Sequence, residues 1–269
     1  MSVFTENPVL YKEITTRFQL RRQSKANRIV IYSIVGLIIP LFYWFSMLAI
    51  FRDSNAARDS YGIFLCALEV SLVVFLTPAM LASAITLERE KQTWNALLLS
   101  RLTHSEIVVG KFIGGLIPTL IALAVFFPLN VVAACVGGVG LGSFLLSHVL
   151  LIATMLLYGA LGLFFSWACR RTQVATATAA GTVAFLTLGS PLALSLWQST
   201  LGYSNTASAI NFLPLWSNPY YAMAELTMER TGQHPEIATL LTIGSLIGTM
   251  LLLVLVIRKL AKGPKEMSA

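Results

Sequence analysis

Six apolar runs organise the chain. They cover 28–51, 61–87, 107–136, 143–169, 173–198 and 237–257, and the shortest has 21 residues. At 1.5 Å per residue, 21 helical residues reach about 31 Å, enough to cross a ~30 Å hydrocarbon core. Strands of a membrane barrel would need only about ten residues of alternating polarity. The pattern therefore predicts an all-α membrane protein with six transmembrane helices. No linker and no internal repeat divides it, so 1–269 reads as a single membrane domain. Pro40, Pro78, Pro118 and Pro128 fall inside the runs and are expected kink points, because proline removes a backbone donor.

The segments between the runs differ in character. Residues 7–27 predict an amphipathic helix. Asn7 suits the N-cap and Pro8 the first helical position, and Leu10, Ile14 and Phe18 form one apolar stripe. Lys12, Glu13, Arg17, Arg21, Arg22 and Lys25 occupy the rest, as expected of an interfacial helix or a positive anchor. Residues 52–60 read as a short polar loop, 136–142 as a glycine-rich turn and 169–172 as a tight turn with Arg170 and Arg171. The stretch 199–236 has an aromatic centre (Phe212, Trp216, Tyr220 and Tyr221) broken by Pro214 and Pro219. It reads as a re-entrant or interfacial segment before the sixth span, the alternative being an aromatic loop on the outer surface.

The connection between runs 2 and 3 is the most charged of these segments. Glu88, Arg89, Glu90 and Lys91 are consecutive. Trp94, Leu97 and Leu98 follow on one helical face, with Gln92 and Asn95 elsewhere. Residues 102–105 are expected to break that helix, and Glu106 to Lys111 to open the third span. The connection is thus helix, turn, helix, partly along the membrane surface.

Composition agrees with the pattern. Apolar residues make up 56% of the chain and charged residues 12%, against about 25% charged in soluble domains. The net charge of +7 is better explained by topology than by nucleic acid. Six cations lie between Lys12 and Arg28, ahead of or at the start of the first run, four around the 88–111 connection, two at 170–171 and four at the C-terminal end, leaving Arg52, Arg58 and Arg230 opposite. Lys and Arg mark cytoplasmic loops, so both termini are expected in the cytoplasm of a multi-pass protein of the cell (inner) membrane. The polar first 27 residues predict no cleavable signal peptide. Cys66, Cys135 and Cys169 are scattered and suggest neither metal nor disulfide.

Catalytic chemistry is hard to find. Gly110-Lys111 fails the nucleotide-loop pattern at both ends, with Ser105 and Phe112 where Gly and Ser/Thr are needed. If ATP drives this protein, another chain binds it. Ser143 and His148 stand about 500° apart around a helix, and Glu88 and Glu90 lie on different faces, so intramembrane proteolysis is disfavoured. Glu69 is the one carboxylate well inside a run. An acid there is costly, so it is expected protonated, paired or facing a polar cavity. It reads either as a substrate or proton site or as a protonated residue bonding a neighbouring helix. Gly110 and Gly114, Gly138 and Gly142, and Gly244 and Gly248 are spaced by four and predict close helix contacts.

Three stretches resemble the type 2 ABC transporter permeases. They are Asn7-Pro8-Val9-Leu10-Tyr11-Lys12-Glu13; 78–99, with Ala82, Ala84, Ile85, Glu88, Arg89, Glu90, Thr93, Leu97 and Leu98; and Ser105-Glu106-Ile107-Val108-Val109-Gly110-Lys111. The six-run layout and the long last outward loop match too. Arg101 stands where the family often has proline, a departure from its pattern at the turn. The resemblance implies a membrane subunit of an exporter, with no cofactor in this chain. A homodimer or a pair with a paralogous permease would join two ABC ATPase subunits that bind ATP and Mg. Residues 88–101 would be similar to the coupling helix seated on the ATPase, with Glu88 and Glu90 meeting its basic or polar groups. The helix carrying Lys12, Glu13, Arg17 and Arg21 would lie beside that contact. A motor-independent secondary transporter or channel is the alternative, and an intramembrane enzyme the more remote one.

Overall fold

The computed structural model describes residues 9, 25–99, 102–201, 218–227 and 235–261. The described residues are helical, without strands, and helix covers all six apolar runs. Run 1 is α1 (Lys25–Ile50). Run 2 is α2 (Ser54–Ile63), the π-helical turns π1 (Phe64–Glu69) and π2 (Leu72–Leu76), and α3 (Thr77–Ala82). The connection holds α4 (Thr86–Glu90) and α5 (Trp94–Leu98). Then follow α6 (His104–Gly137), α7 (Leu141–Ala168), α8 (Thr172–Leu201), α9 (Pro219–Thr227) and α10 (Pro235–Ala261).

Four stretches of the described residues are long and apolar enough to cross a membrane: Leu72–Glu90, His104–Gly137, Leu141–Ala168 and Ala238–Ala261. α1 contributes a shorter apolar stretch, Leu37–Ile50. α8 has the length of a span but interleaves Thr172, Thr176, Thr178 and Thr182 with small residues along its first half. Among the described residues, α7 is the hub, packing against α3, α8, α9 and α10.

Two expectations about run 2 need correction. Residues 52–60 are not a loop. The Asp53 carboxylate accepts the Ala56 N–H at 2.7 Å and caps α2 at Ser54, so only 51–53 turn. An acidic side chain before a helical run meets one of the open N–H groups of the first turn, which the polar composition had masked. Nor is run 2 one α-helix. Pro78 cannot donate to the carbonyl four residues back, and the wider turns of π2 lie just ahead of it.

Polar side chains tie this irregular run to its neighbours. Tyr61 OH meets Ser147 Oγ on α7 at 2.8 Å, and Ser71 Oγ meets Tyr220 OH on α9 at 2.9 Å. Thr77 donates to Thr119 on α6 at 3.2 Å, and Asn130 on α6 donates to Glu69 at 2.7 Å. Such interhelical bonds contribute about 0.6 kcal/mol each in membranes.

Other details differ from the expected pattern or fall outside the described residues. Gly138 and Gly142 do not form a helix face. Gly138 ends α6 with φ 66°, a left-handed conformation glycine adopts freely, while Gly142 lies in the first turn of α7. Pro191 lies inside α8, a fourth intrahelical proline beside Pro40, Pro118 and Pro128. Of the expected interfacial helix (7–27), Val9 is described and is buried, and Lys25, Ala26 and Asn27 instead form the first turn of α1; Lys12, Glu13, Arg17 and Arg21 lie outside the described residues. Of the 199–236 stretch, 202–217 and 228–234 also lie outside. Its described part includes α9, whose nine residues reach about 14 Å, too short to cross. Ala222, Met223 and Thr227 are buried, and α9 packs on α7, α10 and α2. Asn218 holds its start, accepting Tyr220 N–H at 3.0 Å and donating to Thr187 O on α8 at 2.9 Å.

Candidate functional site

The connection between runs 2 and 3 leaves the helical core through a turn at 83–85. A turn at that depth frees backbone donors that need new acceptors. Ser166 on α7 supplies one: its Oγ accepts Ile85 N–H at 2.8 Å and Thr86 N–H at 3.2 Å. All three residues are buried. Ser166→Ala would leave two buried donors without their acceptor, at about 1–3 kcal/mol for an unmet buried group. A lower melting temperature of the purified protein is the expected result; an unchanged one would mean the turn relaxes freely.

The next three charged residues reach different helices. Arg89 donates from Nη1 to the carbonyls of Trp167 at 2.9 Å and Cys169 at 3.1 Å. These are end carbonyls of α7, where a cation also complements the helix dipole. The same guanidinium sits 5.7 Å from the Trp94 ring. Glu90 does the converse at the next helix: its Oε1 accepts Thr172 N–H at 2.7 Å at the start of α8. Thr172 also donates to Thr86 Oγ1 at 3.1 Å. The 88–106 connection is therefore bolted to the 169–172 turn by charges of the sign each helix end prefers.

Glu88 turns toward α6. Its Oε1 lies 3.5 Å from Lys111 Nζ, and Lys111 is 1% exposed. Its other carboxylate oxygen accepts the Thr93 hydroxyl, and its carbonyl accepts Thr93 N–H at 2.9 Å. Together these close the chain over Gln92, which has φ 58°. A non-glycine residue in that left-handed region is uncommon and marks a tight reversal.

α5 then follows, a helix of five residues. Trp94 is buried and Leu97 packs against the core, whereas Leu98 is exposed and Leu99 is 87% exposed. The single apolar face expected for Trp94, Leu97 and Leu98 is thus split: Trp94 and Leu97 turn to the core and Leu98 lies at its exposed edge. Lys91, Gln92, Thr93, Asn95 and Ala96 share the outer surface with the leucines. Thr103 closes the connection in a capping box: its hydroxyl accepts Glu106 N–H at 3.3 Å and Glu106 Oε2 accepts Thr103 N–H at 2.8 Å. The third helix therefore starts at His104, two residues earlier than expected.

Of the site residues expected from sequence, Glu88, Arg89, Glu90, Thr93, Trp94 and Leu97 come together in this one connection, and Leu98 lies on its outer face. Arg101 lies outside the described residues. Glu69 is far from it along run 2, buried against Asn130. Ser166, Thr172 and Lys111 were missed as partners. Lys111 had a signal: a lone cation at the mouth of an apolar run needs an anionic partner, and Glu88 is that partner. Among the described residues no cluster of three or more His, Cys, Asp or Glu is placed to hold a metal.

The comparisons with known proteins give one positive result. The family described as ABC-2 family transporter protein matches residues 21–261, most of the chain. No curated protein matches.

Proposed function

Because the chain belongs to the ABC-2 transporter family, we propose that it is the permease subunit of an ATP-driven exporter and that 88–101 couples it to a separate ATPase. Members of this family are membrane subunits that normally work with an ATPase partner and are not themselves catalytic. The observation that carries the proposal is the division of labour within the connection. Glu88, Arg89 and Glu90 are spent on α6, α7 and α8, while Leu98 and Leu99 stand outward on the same short unit. A surface meant to transmit force needs both: a grip on several spans and an uncommitted face for the motor.

In this reading the partner binds ATP and Mg, and Lys12, Glu13, Arg17 and Arg21 flank the contact. Two permease chains, identical or paralogous, form the pathway in the inner membrane. α1 and α8 join the four strongly apolar stretches to make six spans, both termini are cytoplasmic, and the stretch containing α9 is re-entrant. Glu69 lies along the substrate path. Export rather than import follows from the resemblance to exporter-class permeases. Motion at the connection would shift the spans between inward-open and outward-open states.

The test is a cysteine at Leu99, the most exposed apolar residue of the connection, in cells that also make the partner ATPase. Crosslinking of that cysteine to a co-purifying ATPase, weakened when ATP closes the motor, is the expected result. A chain that purifies without any ATPase and carries flux without ATP would overturn the proposal.

A further inference from the structure

A second buried polar unit lies away from the connection. Glu69 ends π1 and is 1% exposed; Asn130 on α6 is fully buried. Asn130 Nδ2 donates to Glu69 Oε1 at 2.7 Å. The remaining oxygen of each side chain, Glu69 Oε2 and Asn130 Oδ1, is buried with no partner among the described residues. Both are acceptors, so what is missing is a donor.

Among the described residues no cation fills that role. The elements packed on π1 are α2, α6, α9 and π2. Their titratable residues are Arg58, Asp59 and Tyr61 on α2; His104, Glu106, Lys111 and Cys135 on α6; and Tyr220, Tyr221 and Glu225 on α9, with none on π2; π1 itself adds Cys66. Against α6, α7 adds Tyr158 and His148; the His148 ring lies on Phe127 and its Nδ1 donates to Phe144 O at 2.8 Å. Arg58 is eleven residues from Glu69, about 16 Å along a helix, and Lys111 is nineteen from Asn130, about 28 Å. The ion pair of Lys111 is with Glu88. Tyr61 and Tyr220 bond Ser147 and Ser71. A carboxylate shut away with one neutral amide bears a large desolvation cost, and such groups neutralise instead. The near-complete burial of both side chains leaves room for the smallest donor only.

We propose that Glu69 and Asn130 form a proton-binding site. In this closed arrangement Glu69 carries one proton on Oε2, becoming a carboxylic acid. Its O–H and C=O then match the C=O and N–H of the Asn130 amide. When π1 and α6 part and water reaches the pair, the proton leaves to water and the carboxylate is solvated. Acid pH therefore favours the closed pair. π-turns recur at functional sites, and one places Glu69 here. The site stands on its own geometry; its use in a transport cycle rests on the permease reading.

Infrared spectroscopy of the full chain in lipid bilayers tests it. At about pH 7.5 exposed carboxyls, with ordinary values near 4, are ionised. The wild type should still show a protonated-carboxyl C=O band. Glu69→Gln, which keeps shape and can donate to Asn130, should abolish that band. Asn130→Ala, which removes the N–H on the acid carbonyl, should shift it to higher frequency. Absence of the band in wild type, its survival in Glu69→Gln, or an unshifted band in Asn130→Ala would each overturn the proposal. None of these readings uses ATP or a partner, so a failure here is distinct from failure of the permease assignment.

Discussion

Glu88→Lys is expected to cut ATP-driven transport at least tenfold without preventing membrane insertion, and a second change, Lys111→Glu, is expected to restore most of it. The reason is the burial of Lys111. Its ammonium is 1% exposed and faces Glu88 Oε1 at 3.5 Å. Reversing Glu88 sets two cations against each other and removes a carboxylate that also holds Thr93 over the turn at Gln92. Breaking a buried pair costs about 3–5 kcal/mol, enough to release the connection from α6. Insertion is set by the apolar runs and by Lys and Arg in cytoplasmic loops, and in the proposed topology an added Lys here agrees with that rule. The swapped pair recovers the attraction but not the Thr93 contact, hence a restoration short of complete. Transport in vesicles with the partner ATPase, normalised to permease content, reads the effect. Full activity of Glu88→Lys would sink the brace. Continued failure of the swapped pair at normal content would mean that Glu88 acts on something other than Lys111.

Much of this architecture was legible in the sequence because a bilayer imposes a length on every apolar run. All six runs are helical, and a short helix, Trp94–Leu98, does precede a break and the long helix from His104; the reversal at 91–93, with Gln92 at φ 58°, was not expected. What sequence left dark was the destination of each charge. Glu88 and Glu90 were expected to face a partner protein, yet they hold Lys111 and Thr172, 23 and 82 positions away, and Arg89 holds Trp167 and Cys169, 78 and 80 away. Helical periodicity says which face a residue occupies and nothing about which distant helix arrives there. The π-turns were hidden for a related reason: a missing proline donor predicts a disturbance but not how the ladder rearranges around it. Glu69 was found by its charge. Asn130, one polar amide in the apolar stretch of α6, was overlooked, although such a residue in a span seldom lacks a partner.

Gly162→Leu is expected to destabilise the permease by about 1–3 kcal/mol or more, the range for overpacking a tight contact. A Cβ at Gly162 would lie 2.6 Å from Pro78 O and 2.9 Å from Pro78 Cα, and both are backbone atoms that cannot turn away. Gly159, one turn earlier on α7, is a gentler case: its Cβ would meet side-chain ends, Leu116 Cδ2 at 2.9 Å and Phe112 Cε2 at 3.2 Å. At Gly248 on α10 the nearest atom is Leu157 Cδ1 at 3.0 Å, again a movable tip. Alanine substitutions should therefore rank Gly162 worst, Gly159 next and Gly248 mildest when monodisperse protein is measured after heating in detergent. The ranking bears on function because Pro78 and Ser166 flank the same contact. α3 meets α7 through Gly162, and one turn later Ser166 holds the backbone that enters the connection. A side chain wedged at Gly162 would push α3 from α7 and pull that backbone off Ser166, so transport should fall even in the fraction that remains folded. If Gly162→Ala melts no lower than Gly248→Ala, α3 and α7 slide freely and cannot carry a stroke from the connection into the bundle.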